Sequence, residues 1–122
     1  MATFSKVLLS GGSQGKAIKI SANTSGSVGT TIHTTGISST AIDEVWLYAT
    51  NSSASNVVLT IQWGGTTVVD NEIKLTIPPN SGLTLVIPGL ILTGTGSAGN
   101  VIAAYASSIN AITISGYVNR IS

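Results

Sequence analysis

Between residues 56 and 63 apolar and polar positions alternate: Val57, Leu59, Ile61 and Trp63 fall on one side, and Asn56, Val58, Thr60 and Gln62 on the other. A period of two is that of a half-buried β-strand, because successive side chains point to opposite faces. Residues 72–77 repeat it, with Ile73, Leu75 and Ile77 inward and Glu72, Lys74 and Thr76 outward. In 42–50 the inward set is Val45, Leu47 and Ala49, which turns Glu44, Trp46 and Tyr48 to the opposite face. Further strands are expected at 4–9, 16–21, 29–34, 82–87, 89–93, 100–106 and 111–118. Between them stand turn residues: Gly11-Gly12-Ser13, Ser25-Gly26-Ser27, Gly64-Gly65, Pro78-Pro79-Asn80-Ser81-Gly82 and Gly94-Thr95-Gly96-Ser97.

Only 97–108 offers a competing helical reading, through Ala98, Ala103, Ala104 and Ala106. Val101, Ile102 and Tyr105 and the lack of a charged cap favour a strand there. Short strands separated by regular turns predict an all-β chain, a single antiparallel β-sandwich of jelly-roll-like or related form. It would span 1–122, with 1–10 a candidate N-terminal arm. The expected core is Val45, Leu47, Val57, Leu59, Ile61, Ile73, Leu75, Leu85, Ile112 and Ile114.

Composition adds a constraint on partners. Hydrophobic residues make up 43% of the 122 positions and charged residues only 7%, far below the usual share of about 25%. Ser and Thr make up roughly a quarter of the chain and supply polarity without charge. A net charge of +1 offers no steering toward phosphate or anionic lipid, so neither nucleic acid nor a membrane is an expected partner. Weak charge repulsion favours association. Val58, Val86 and Tyr117 alternate to the face opposite the expected core, so a homo-oligomer is expected. The chain has no cysteine, which excludes disulfides and thiolate chemistry. No signal-peptide pattern opens it, so synthesis in a cytoplasm is expected.

Residues with chemical potential are few. His33, the single histidine, lies among threonines in an expected strand. It reads as a strand or contact residue, with pH sensing as the sharper alternative. Asp70 and Glu72 would share a strand face roughly 7 Å apart, the spacing of a paired-carboxylate glycosidase, yet the sequence provides no aromatic cleft to accompany them. Asp70, Asn71 and Glu72 lack the acidic spacing of a calcium loop. Gly11-Gly12-Ser13-Gln14-Gly15-Lys16 lacks Walker spacing and precedes a strand. The two Asn-X-Ser matches, at Asn23 and Asn51, are expected by chance in so Ser-rich a chain. No catalytic, metal or cofactor-binding residue is assigned. Trp46, Tyr48 and Tyr117 are the candidate interface residues: the first two are large aromatics on a face that should be wet. They could stack on a sugar, pack under a loop of the same chain or lie in a subunit contact.

Five segments together resemble small virion proteins of tailed bacteriophages: Met1-Ala2-Thr3-Phe4-Ser5-Lys6-Val7-Leu8-Leu9-Ser10, Gly29-Thr30-Thr31-Ile32-His33-Thr34, Asp43-Glu44-Val45-Trp46-Leu47-Tyr48-Ala49-Thr50-Asn51, Pro88-Gly89-Leu90-Ile91-Leu92-Thr93-Gly94 and Ile114-Ser115-Gly116-Tyr117-Val118-Asn119-Arg120. These are the decoration, cement or head-stabilising proteins of capsids, with cyanophage-like examples nearest. The resemblance implies a β-sandwich or β-tulip-like subunit on the outer capsid surface of the virion, often a trimer, that clamps the major capsid protein. It brings no catalytic residues and no cofactor. The alternative expectation is a virion adhesion or carbohydrate-binding domain, in which Trp46 and Tyr48 would work beside Asn51 and Gln62. An enzyme ranks last.

Overall fold

The computed structural model describes residues 3–122. Nine strands follow one another in it: β1 (Phe4–Leu8), β2 (Ile18–Lys19), β3 (Thr30–Thr34), β4 (Ile42–Asn51), β5 (Val57–Trp63), β6 (Glu72–Ile77), β7 (Thr84–Leu92), β8 (Val101–Ala106) and β9 (Ile112–Ile121). They form two antiparallel sheets, β1-β9-β4-β7 with β2 also on β9, and β3-β8-β5-β6. The sheets pack face to face as a single-domain β-sandwich with no helix among the described residues. β1 and β2 both pair with β9, at Tyr117–Ile121 and at Thr113 and Ile114, and so act as one interrupted edge strand. Counted that way the nine strands become the eight of a jelly roll.

The interruption has a structural use. Residues 9–12 leave the larger sheet and cross to β3 of the smaller one, where the Gly11 amide donates to the Ile32 carbonyl at 2.8 Å and the Thr34 amide donates to Ser10 Oγ at 2.7 Å. A Cβ on Gly11 would stand 2.1 Å from the Thr31 carbonyl oxygen, so only glycine permits this approach. The crossing covers an otherwise open sheet edge. Of the arm expected over 1–10, residues 1 and 2 lie outside the described part, and 4–8 are β1, paired with β9 at every position.

The core follows the alternation of β4, β5 and β9: Val45, Leu47, Val57, Leu59, Ile61, Ile112 and Ile114 are all 0–1% exposed. Ile73 and Leu75, on the edge strand β6, are half-buried and pack against that core. The segment 100–106 is a strand, as read from its branched and aromatic residues.

Leu85 is a correction. It is 46% exposed, whereas Val86, expected on the outer face, is buried. The cause is a break in the β4–β7 register: Leu47 pairs with Ile87 and Tyr48 with Leu85, leaving Val86 as an extra residue. A bulge of this kind turns neighbouring side chains the same way, and it reverses the phase read from sequence. A second break at Pro88-Gly89, with Gly89 at φ 82°, lets one strand run through the two expected at 82–87 and 89–93.

Candidate functional site

Even-numbered residues of β1 and β4 and odd-numbered residues of β9 line the outer face of the larger sheet. Pairing arranges them in cross-strand rows. Phe4, Ile121 and Ile42 form an apolar row; Lys6, Asn119 and Glu44 form a polar one; Leu8, Tyr117 and Trp46 form a second apolar row. Beyond it lie Tyr48 and Ser115, with Leu85 beside Tyr48 on β7. Phe4 is 73% and Leu8 57% exposed, and Trp46, Tyr48 and Tyr117 are half-buried.

The aromatic row is rigidly built. The Trp46 and Tyr117 rings stack with centroids 6.3 Å apart and planes 14° from parallel. Lys6 Nζ lies 4.8 Å from the Tyr117 centroid, a cation over the negative face of the ring. Trp46 Nε1 donates to Glu44 Oε1 at 2.8 Å, and Asn119 Nδ2 donates to the same oxygen at 3.1 Å. These two donors hold the Glu44 carboxyl below its ordinary range. On the far side Trp46 rests on Gly89, where a Cβ would meet the indole at 2.8 and 3.0 Å. Glu44, Lys6, Asn119, Phe4, Ser5 and Ile121 border a shallow hollow of about 450 Å³ beside this row.

Of the candidate interface residues, the structure joins Trp46 to Tyr117 and leaves Tyr48 one row away. Asn51 and Gln62 do not accompany them. Asn51 ends the inward face of β4, 3% exposed, and donates to the Ser55 and Ile77 carbonyls. Gln62 belongs to the other sheet, where it holds Gly29 and Ser27 of the preceding loop.

His33 is 0% exposed. Its inward direction comes from a bulge, since β3 pairs Thr31 with Ala103 and His33 with Ile102, so that Ile32 and His33 both face in. The ring spans the sandwich: Nε2 donates to Asp43 Oδ2 at 2.8 Å, and Nδ1 accepts the Ser10 amide at 3.1 Å. A ring that accepts at Nδ1 and donates at Nε2 is the neutral Nε2–H tautomer. Arg120 closes the cluster with a bidentate pair, Nε to Asp43 Oδ1 at 2.7 Å and Nη2 to Oδ2 at 2.9 Å. Burial opposes the Asp43 charge, but the bonds from Arg120 and His33 outweigh it and hold its carboxyl below the usual range. Asp43 and Arg120 were not singled out in the sequence. Extending the alternation of Val45, Leu47 and Ala49 one step back would have turned Asp43 inward.

The expected pairing of Asp70 with Glu72 is not formed. Asp70 lies exposed in the turn before β6, while the Glu72 side chain, 4% exposed, accepts from Tyr105 and lies 3.6 Å from Lys74. The turn, not a continued strand, carries Asp70 away from the face that Glu72 occupies. Among the described residues no three of His, Asp or Glu converge as metal ligands would.

The chain matches no protein-family model, no curated protein and no solved structure.

Proposed function

We propose that this chain is a structural virion subunit, without catalytic chemistry, that decorates and stabilises a bacteriophage capsid by binding the outer surface of its major capsid protein shell. The observation that supports this reading is the outer face of the larger sheet: locked aromatics and exposed apolar side chains occupy positions that a solitary sandwich would keep polar. Such a face calls for a protein surface to cover it. The jelly-roll strand order is also one that capsid proteins frequently use, an analogy of fold that agrees with this reading.

The chain carries only nine charged residues, and four of them are already paired with one another. Asp43 is held by His33 and Arg120, and Glu72 by Lys74 and Tyr105. Shell contacts therefore come from apolar and hydroxyl groups, including the exposed Ile37, Val68 and Val69 in the loops at the Asp43 end of the sandwich. A subunit that binds only the assembled shell stabilises it by about 4 kcal/mol per site at a thousandfold excess over Kd.

Co-sedimentation with empty phage particles tests the proposal. Binding should survive about 1 M salt, where the Debye length is about 3 Å. Loss of binding at that salt would refute the contact chemistry. No binding at any salt would refute the virion reading and favour adhesion, which a glycan array would then detect.

A further inference from the structure

The three rows on the outer face of the larger sheet are self-complementary. The middle row reads Lys6, Asn119, Glu44 across β1, β9 and β4, with opposite charges at its two ends. Lys6 and Glu44 border one hollow, yet neither belongs to the ion pairs among the described residues, which are Lys74–Glu72 and Arg120–Asp43. Both bonds to Glu44 fall on Oε1, which leaves Oε2 open.

A second copy laid face to face and related by a twofold axis running along β9 keeps each row over its own counterpart. It exchanges β1 for β4. Lys6 then faces Glu44 of the other copy, twice over, and Asn119 faces Asn119. Leu8 faces Trp46, Tyr117 faces Tyr117, and Phe4 faces Ile42. Apolar rows meet apolar rows, and the two unpaired charges gain partners. Rotation about an axis perpendicular to the strands would instead exchange the rows on either side of the axis. Shifting the axis by half a strand would place Lys6 over β7, opposite Ile91. Sheets packed this way lie about 30° from aligned because each is twisted, so the central rows carry the contact.

We propose that the outer face of the larger sheet binds a second copy of this chain in an isologous dimer. The dimer rests on the reading above that this face meets protein, and it leaves the loop end with Ile37, Val68 and Val69 for the shell. In place of a trimer it makes a twofold dimer the basic unit.

Sedimentation equilibrium of the purified chain, with Lys6→Glu, Glu44→Lys and the double reversal, tests it. The wild type should be a dimer at micromolar concentration, and each single reversal should weaken it by at least about tenfold, since it sets like charges against each other twice. The double reversal should restore the dimer. Glu44→Lys also removes the bonds to Trp46 and Asn119, which the double reversal does not restore, so recovery in the double variant reports the charge pairing of positions 6 and 44 and not those bonds. Circular dichroism confirms that each variant is folded. A monomeric or trimeric wild type, or a double variant as weak as the singles, would overturn the pairing. A monomer that still co-sediments with particles would sink the dimer and leave the virion reading standing; a dimer that ignores particles would do the opposite.

Discussion

His33 and Asp43 tie the two sheets together. A 2.8 Å hydrogen bond joins their side chains, which are 1% and 3% exposed, and Arg120 supplies the countercharge from the neighbouring strand. Every buried side-chain polar atom among the described residues has a partner, so the cluster is fully satisfied.

Asp43→Asn should lower stability by about 3 kcal/mol, the low end for breaking a buried pair, because Arg120 keeps 33% of its side chain in water. Urea midpoints of the two proteins measure it. A shift worth less than about 1 kcal/mol would mean that the sheets do not depend on this bolt.

The same carboxylate predicts acid sensitivity. Its folded pKa lies below the unfolded value of about 3.9, so the unfolded chain binds the extra proton between the two. The stabilisation is complete above about pH 5 and disappears as pH falls through the folded pKa. Melting temperature against pH should drop below about pH 4, with a smaller drop for Asp43→Asn.

Tyr105 predicts the opposite limb. Burial, then its bond to Glu72, raises the phenol pKa, so the neutral form favours the fold. That contribution is complete below the unfolded value of about 10 and is lost as pH rises through the folded pKa. Tyr105→Phe should flatten the alkaline fall. It should also lose about 1–3 kcal/mol at neutral pH, because the buried Glu72 oxygen loses its donor. An unchanged alkaline limb would refute the assignment.

Gly89→Ala should cost about 1–3 kcal/mol, from a φ of 82° and from a Cβ that meets the Trp46 ring at 2.8 Å. Displacing Trp46 should shift tryptophan emission. Trp63 remains as a background, so the shift is read against Trp46→Phe.

Two aspartate scans separate the core as observed from the core as read. Leu59→Asp, at a 0% exposed site, should unfold the domain, whereas Leu85→Asp, at 46% exposure, should leave it folded within about 1 kcal/mol. Circular dichroism melts distinguish them, and equal damage would contradict the bulge in β7.

The strands, the sandwich and the outward direction of Trp46, Tyr48 and Tyr117 could be read directly from the chain. A period of two, broken by Gly and Pro, is a local property that each segment carries alone. Leu85, Val86 and His33 could not be placed that way, because a bulge exists only relative to the partner strand, and one extra residue reverses every later side chain. The Ser10–His33–Asp43–Arg120 cluster was equally hidden. Its members come from a crossing segment and from strands of two sheets, and only the packing of those sheets brings them within hydrogen-bond distance. Nor could the rows of the outer face be written down before the pairing of β1, β9 and β4 was known, because register is a relation between segments that lie far apart in the chain.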